Sequence, residues 1–133
     1  MNKLLVLQKR AVRIVDTANY YRCHTDPLYI KFKLLKVFDV YFLSCSLFVY
    51  KFKFNLLPKV CSSLLTLNFE NNMTYNFRHV SNFNIPSYRT SLREKCIQIR
   101  GPKYWDSIAD DIKSIDLLSS FKHSLRNSII DKY

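Results

Sequence analysis

Basic and aromatic side chains alternate between Arg89 and Trp105, which gives this span the clearest chemical character in the sequence. Five of its residues are cations: Arg89, Arg93, Lys95, Arg100 and Lys103. Glu94 is the single acid among them, and Tyr88 and Tyr104 lie beside them in the sequence. This mixture is typical of surfaces for single-stranded nucleic acid, because cations follow phosphates and aromatic rings stack on bases. The alternative is that the cations are merely solvated, and we expect Trp105 itself to be buried.

A second group of cations lies in the first segment, 2–17, whose apolar residues recur at helical spacing. The apolar seam comprises Leu4, Leu7, Ala11, Ile14 and Val15. On a wheel of about 100° per residue, the opposite face is basic and carries Lys3, Lys9, Arg10 and Arg13. We therefore predict a helix that buries this seam and presents a basic stripe, which either contacts phosphates or is simply solvated.

The charge balance points to a polyanionic partner. Lysine and arginine number 21 against 10 acidic residues, a formal net charge of +11. Each phosphate contact releases condensed counterions, so this excess favours nucleic acid or an anionic membrane face. The uncharged stretch 40–50 is well short of the ~20 residues that a spanning helix requires. We predict a buried core helix there, and no membrane partner.

Several classes of site are excluded or disfavoured by composition. Gly101 is the only glycine, so no glycine-rich phosphate loop can be built, and an all-β fold is disfavoured. The cysteines, which we expect to be ordinary buried thiols, are Cys23, Cys45, Cys61 and Cys96. We expect the histidines, His24, His79 and His123, to lie at the surface. Asp110 and Asp111 are predicted to lie in a loop between helices rather than to hold metals as polymerase carboxylates do. We therefore predict that the protein is not an enzyme. It is expected to have no catalytic residue and to bind no metal, cofactor or small-molecule substrate.

We predict no secretory signal at the N-terminus, because its first apolar run, 4–7, is shorter than the roughly 7–15 residues of a signal core. The four cysteines could form two disulfides, but without a secretory signal we expect a reducing compartment, and so an intracellular protein, nuclear or cytoplasmic. The basic amphipathic start leaves a mitochondrial transit peptide as the alternative.

The elements that must position these residues are predicted to be mainly α-helical, in one basic domain over 1–133. It comprises a helical core at 1–67, an irregular connector at 68–99 and C-terminal helices at 100–133. Four to six helices are expected, with one short β-hairpin allowed around 83–99, where Cys96-Ile97-Gln98-Ile99 alternates. Individual helices are expected at 27–33, 35–54 and 102–108. A further helix is expected to begin at Pro58 and to bury Val60, and the last helix is expected to be capped by Asp116.

Six short strings resemble, in the same order, strings downstream of the polymerase in non-LTR (LINE-type, Jockey-like) retrotransposon reading frames. They are LQKRAVRIV at 7–15, HTDPL at 24–28, VYK at 49–51 with LLP at 56–58, YNFR at 75–78, IRGPKYWDSI at 99–108 and SFK at 120–122. The resemblance implies a C-terminal, non-catalytic region of an endonuclease–reverse transcriptase polyprotein. Such a parent is an RNA-directed DNA polymerase that copies its RNA onto nicked chromosomal DNA by target-primed reverse transcription.

The sequence thus predicts a domain that binds the RNA or DNA backbone without sequence preference, beside the upstream polymerase domain of its parent. The candidate contacts are Lys9, Arg10, Arg13, Arg78, Arg89, Arg100 and Lys103. Two alternatives remain open. One is a structural or protein-interaction module, and the other is a non-functional remnant of the transposon.

Overall fold

Helices dominate the structure, which confirms the predicted mainly α class. The computed structural model describes residues 2–16, 24–67 and 83–133. Within them lie eight helices: α1 (Asn2–Val15), α2 (Asp26–Lys31), α3 (Val37–Lys53), α4 (Lys59–Ser62), α5 (Ser91–Glu94), α6 (Ile97–Asp106), α7 (Asp110–Lys113) and α8 (Leu118–Ile130). These ranges contain no strand, and their one β-type pairing is an isolated antiparallel bridge between Leu67 and Phe83.

The central element is α3, against which α1, α6 and α8 all pack. Its buried residues include the adjacent pairs Cys45–Ser46 and Val49–Tyr50, so more than one face of the helix is covered. This confirms the buried core helix predicted from the apolar stretch. No helix in the described ranges has both the length and the apolar character to cross a membrane.

The main core gathers side chains from α3, α6, α8 and the bridge region. Its buried members are Leu43, Val49, Tyr50, Leu65, Phe83, Trp105, Ile108, Phe121, Leu125 and Ile129. The Tyr50 ring is stacked on Phe54 and on Phe121, each with centroids 4.4 Å apart. The Tyr50 hydroxyl donates to the carbonyl of Ile115 at 2.9 Å, so its buried polar atom is satisfied. Trp105 is buried here, as predicted.

The hairpin around 83–99 and the helix start at Pro102 were wrong predictions. Residues of this span form α5, capped by Thr90 Oγ1, which accepts from the Arg93 N–H, and then α6 with Pro102 inside it. A four-residue alternation is too short to distinguish a strand from a helix. Pro102 forfeits one helical hydrogen bond. Ile99 and Trp105, on either side of Pro102, are both buried, and this burial offsets the lost bond.

The predicted number of helices, four to six, is too low for the described ranges, because three of the eight are single turns. Helices α4, α5 and α7 have four residues each, less than the sequence periodicity can detect. Helix α4 ends at Ser62 and buries none of its residues. Val60 is therefore exposed, which contradicts the prediction that it is buried. Residues 68–82 of the predicted connector lie outside the described residues.

The apolar seam of α1 faces solvent, which contradicts the prediction that it is buried. Leu7 is 57% exposed and Ile14 68% exposed, whereas Val12 is buried. The reason lies in Gln8: its Nε2 donates to the carbonyl of Leu35 (2.7 Å), and its Oε1 accepts from the N–H of Val37 (3.0 Å). These bonds dock the Gln8 face of α1 at the start of α3.

The last helix matches its predicted apolar pattern but not its predicted cap. Phe121, Leu125 and Ile129 are buried, as their spacing indicated. The residue that precedes the helix is Leu117, and no side chain caps it. Asp116 stands one residue too early to reach the exposed N–H groups of the first turn.

Candidate nucleic-acid interface

A cleft of about 450 Å³ lies between the first turns of α3 and the segment that carries α5 and α6. We call it the aromatic–basic cleft, and its lining residues are Phe38, Tyr41, Lys95, Arg100 and Tyr104. It contains one of the seven predicted contact residues, Arg100, beside three aromatic rings. The cleft is therefore the place where cations and rings meet.

Helical spacing and the packing of α6 on α3 position the rings. Phe38 and Tyr41 are three residues apart on α3, and Arg100 and Tyr104 are four apart on α6, so each pair shares a face. The Tyr41 and Tyr104 rings meet edge to face, with centroids 6.1 Å apart and an angle of 83°. Tyr104 also packs against Phe42 behind the cleft at 5.0 Å. These contacts fix the cleft wall before any ligand enters.

The guanidinium of Arg100 is held by three hydrogen bonds. Its Nε donates to the Glu94 carbonyl (3.3 Å), its Nη2 to Glu94 Oε1 (3.2 Å) and its Nη1 to Tyr104 Oη (3.2 Å). The bond to Tyr104, with the charge of Glu94, raises the pKa of Arg100 above its usual value. A guanidinium has five N–H donors. Two of them have no partner among the described residues, on a side chain whose orientation is already fixed.

Lys95 contributes a second cation to the cleft. Its carbonyl accepts a hydrogen bond from Tyr41 Oη at 2.9 Å, which ties the α5–α6 turn to α3. Burial is the largest cause that raises the pKa of Tyr41, so its hydroxyl stays protonated and can donate this bond. The Lys95 residue itself is exposed.

Arg89 and Lys103, both predicted contacts, are exposed near the basic–aromatic segment. Lys103 Nζ donates to Tyr88 Oη at 2.8 Å and lies 5.0 Å from the centre of that ring. Tyr88 thus orders the lysine on the outer face of α6. Arg89 is the next residue after Tyr88. Because Tyr88 contacts Lys103, the backbone of Arg89 lies near Lys103.

The three predicted contacts on α1 differ in their exposure to solvent. Arg10 is exposed, whereas Lys9 and Arg13 are partly buried. Lys9 lies close enough to Asp26 to help depress the pKa of that carboxyl, although the hydrogen bond from Lys36 is the larger cause. The Nε of Arg13 is buried without a hydrogen-bond partner among the described residues. Arg10 is therefore the most accessible cation of the three.

The structure brings part of the predicted set together. Arg89, Arg100 and Lys103 all belong to the segment around α5 and α6. Helix α1 is a separate element, but Gln8 docks it at Val37, next to Phe38 of the cleft. Of these cations, Arg100 is the one that lies beside the start of α3. That the two groups form one continuous basic face stays a prediction. Arg78 lies outside the described residues.

Sequence reasoning missed Phe38 and Tyr41 as site residues. Lys95 was among the cations of the basic–aromatic span but not among the seven candidate contacts. Phe38 and Tyr41 look like core residues of an apolar helix, yet Phe38 is 42% exposed. The sequence does show that Phe38 and Tyr41 are three residues apart and that Arg100 and Tyr104 are four apart. These spacings indicate that each pair shares one face of a helix. Only the packing of α3 on α6 shows that the two pairs face one cleft.

The acidic and thiol groups do not assemble a metal or nucleophile site in the described ranges. Asp110 and Asp111 begin helix α7 rather than lying in a loop, and Asp110 pairs with Lys113 at 3.0 Å. No group of three potential metal ligands occurs there. Cys45 is buried, as predicted of the cysteines, but Cys96 is exposed because it precedes α6 at the surface. His24 and His123 are exposed, as predicted; Cys23 and His79 lie outside the described residues.

The chain matches no protein-family model, no curated protein and no solved structure.

Proposed function

We propose that this chain is a non-catalytic nucleic-acid-binding unit that holds RNA or DNA mainly through the sugar–phosphate backbone. The observation that supports the proposal is the pre-oriented Arg100 guanidinium, which lies in a cleft beside Lys95 and has two N–H donors without a partner among the described residues. Paired N–H donors on a fixed planar fork suit the oxygens of a phosphate. The net charge of +11 adds long-range attraction to the same partner.

With the family resemblance, the proposal extends to a biological setting. The chain would be the C-terminal part of a non-LTR retrotransposon reverse transcriptase. It would grip template RNA or target DNA while the upstream polymerase domain carries out target-primed reverse transcription. Arg10, Arg89 and Lys103 are the exposed cations that would extend the contact beyond the cleft.

The test is the salt dependence of binding to short labelled single-stranded RNA and DNA, followed by fluorescence anisotropy. The logarithm of the affinity should fall linearly with the logarithm of salt concentration, with a slope that counts phosphate contacts. Arg89→Glu and Lys103→Glu should each weaken binding and reduce the slope. Lys122→Glu, with the same charge change on the exposed surface of α8, is the matched control. Affinity that stays constant between low and moderate salt would refute the proposal.

A second candidate function, a protein-interaction module, is favoured by the exposed apolar seam of α1. Five apolar residues along one face of an exposed helix are unusual for a chain without a partner. The upstream polymerase domain implied by the resemblance is the expected partner. The double variant Leu7→Ser with Ile14→Ser should lose co-purification with such a domain while retaining the affinity for RNA. Equal co-purification of the variant and the unaltered chain would argue against this function.

A further inference from the structure

We infer that the aromatic–basic cleft is a subsite for one unpaired nucleotide, in which a base stacks on Phe38 while Arg100 and Lys95 hold its phosphate. The inference rests on the proposed function and deepens it. Backbone contacts alone would bind single and double strands alike, whereas this subsite selects a strand whose bases are unpaired.

Phe38 supplies the stacking surface. Its ring lines the cleft at 42% exposure and has no aromatic contact among the described residues, whereas Tyr41 and Tyr104 are fixed by each other. Phe38 belongs to neither core cluster of the described residues, so part of its ring is left available in the cleft. Every base has a π-face, so a ring in this position binds bases without sequence preference.

The charges of the cleft match a single phosphodiester. Arg100 and Lys95 are balanced in part by Glu94, which accepts from Arg100 Nη2 at 3.2 Å. One net positive charge remains, equal and opposite to that of one backbone phosphate. The further negative charges of a free nucleoside triphosphate would find no additional cation among the described residues that line the cleft. The cleft therefore suits a nucleotide within a strand.

The size of the cleft fits the same ligand. Its volume of about 450 Å³ lies within the roughly 300–1,000 Å³ that sites for small organic molecules occupy. A base in a duplex presents only its edges in the grooves, and its faces are covered by neighbouring base pairs. To reach Phe38 it must leave the stack, which costs free energy that an unpaired base does not require.

The experiment compares Phe38→Ala with Val40→Ala, an exposed residue of the same helix that does not line the cleft. Binding is measured to a single strand, to the same strand with abasic residues, and to a duplex, each across a salt series. Thermal unfolding of both variants should match that of the unaltered chain, because both side chains are exposed.

Phe38→Ala should weaken single-strand binding about 5- to 150-fold, the effect of losing one stacked base. The salt slope should stay constant, because no phosphate contact is lost. Binding to the abasic strand and to the duplex should not change, and Phe38→Trp should retain the single-strand affinity. Val40→Ala should leave all affinities within about twofold.

Two results would overturn the inference while leaving the proposed function intact. One is salt-dependent binding that Phe38→Ala leaves unchanged, and the other is an equal loss of single-strand and duplex binding. Displacement of the strand by free nucleoside triphosphate at equal concentration would overturn the assignment to a strand. Absence of binding to any of the nucleic acids would instead refute the proposed function.

Discussion

Gly101 lies against Val49 where α6 crosses α3, so closely that a Cβ at position 101 would stand 2.9 Å from Val49 Cγ2. Real Cβ atoms do not approach a neighbour to this distance. The contact explains why the one glycine of the chain lies inside a helix, where glycine is otherwise unfavourable. It also brings α6 near enough for Arg100 and Tyr104 to face Tyr41 across the cleft.

Gly101→Ala should therefore lower the free energy of unfolding, by up to about 2 kcal/mol. Alanine gains about 1 kcal/mol of helix propensity, but overpacking against a buried, β-branched neighbour costs about 1–3 kcal/mol. Val49 is fully buried and cannot rotate away. Urea unfolding monitored by circular dichroism gives the value.

The control is the double variant Gly101→Ala with Val49→Ala, in which the close contact is relieved. It should be more stable than the sum of the single effects by about 0.5–3 kcal/mol, since the two residues touch. A Gly101→Ala protein more stable than the unaltered chain would contradict the described packing.

Leu65 and Val60 should respond very differently to truncation, although Val60 was also predicted to be buried. Leu65 is 3% exposed within the core, whereas Val60 is 86% exposed. Leu65→Ala should cost about 2–5 kcal/mol of unfolding free energy, because it leaves a cavity. Val60→Ala should change it by no more than about 0.5 kcal/mol. Equal losses would mean that α4 is longer and packs as the sequence suggested.

Long periodic segments were predictable from the sequence, whereas the choice between two plausible faces was not. Helices α3 and α8 run 17 and 13 residues, enough for their apolar pattern to appear, and their buried positions follow it. Helix α1 has an equally clear pattern, yet it docks through Gln8 because that amide satisfies two backbone groups at the start of α3. Such a long-range polar match leaves no periodic signal.

The candidate site was predictable only in its composition. The alternation of cations and aromatic residues around Arg100 indicated a basic, ring-bearing surface, and the cleft contains Arg100 and Tyr104. Phe38 and Tyr41 come from a helix more than fifty residues earlier in the chain. Their participation depends on where α6 crosses α3, a property of packing that neither segment encodes alone.

Glu94→Gln should tighten binding to single-stranded RNA or DNA. Glutamine keeps an oxygen that can accept from Arg100 but removes the carboxylate charge from the edge of the cleft. The net charge beside a bound phosphate rises by one, which should increase the affinity about two- to fivefold at low salt. The steepness of the salt dependence should rise as well.

Asp131→Asn is the matched control for this change, since it removes an exposed carboxylate at the end of α8. It should leave the affinity within about twofold. Weaker binding by Glu94→Gln would mean that Glu94 contributes to binding only by orienting Arg100. The inference that the net charge of the cleft matches one phosphate would then be wrong.

Cys96 should react with iodoacetamide in the native protein, and Cys45 should not. Cys96 is exposed at the start of α6, whereas Cys45 is buried in α3 and desolvation raises the pKa of its thiol. Because the thiolate is the nucleophile, burial and a raised pKa both slow the reaction. Mass spectrometry of peptides after a short exposure near neutral pH measures each site. Labelling of Cys45 at the rate of Cys96 without denaturant would show that α3 is open to solvent.

Tyr133 links the end of the chain to the start of α3, and its removal should destabilise the fold in a pH-dependent way. Its hydroxyl accepts from the N–H of Lys36 at 2.9 Å and donates to Asp39 Oδ2. Tyr133→Phe loses a hydrogen bond to a charged group, so the free energy of unfolding near neutral pH should fall by about 1–3 kcal/mol.

Burial and the bond to Asp39 raise the pKa of Tyr133 above its ordinary value of 10. Since the folded pKa lies above the unfolded one, the stabilisation is complete below pH 10 and is lost as pH rises through the folded pKa. The difference in the free energy of unfolding between the unaltered chain and Tyr133→Phe should therefore narrow as the pH rises above 10. Urea unfolding at several alkaline pH values measures it, and tyrosinate absorbance reports the ionisation. A difference that stays constant from neutral to alkaline pH would show that the Tyr133 hydroxyl titrates alike in the folded and unfolded chains.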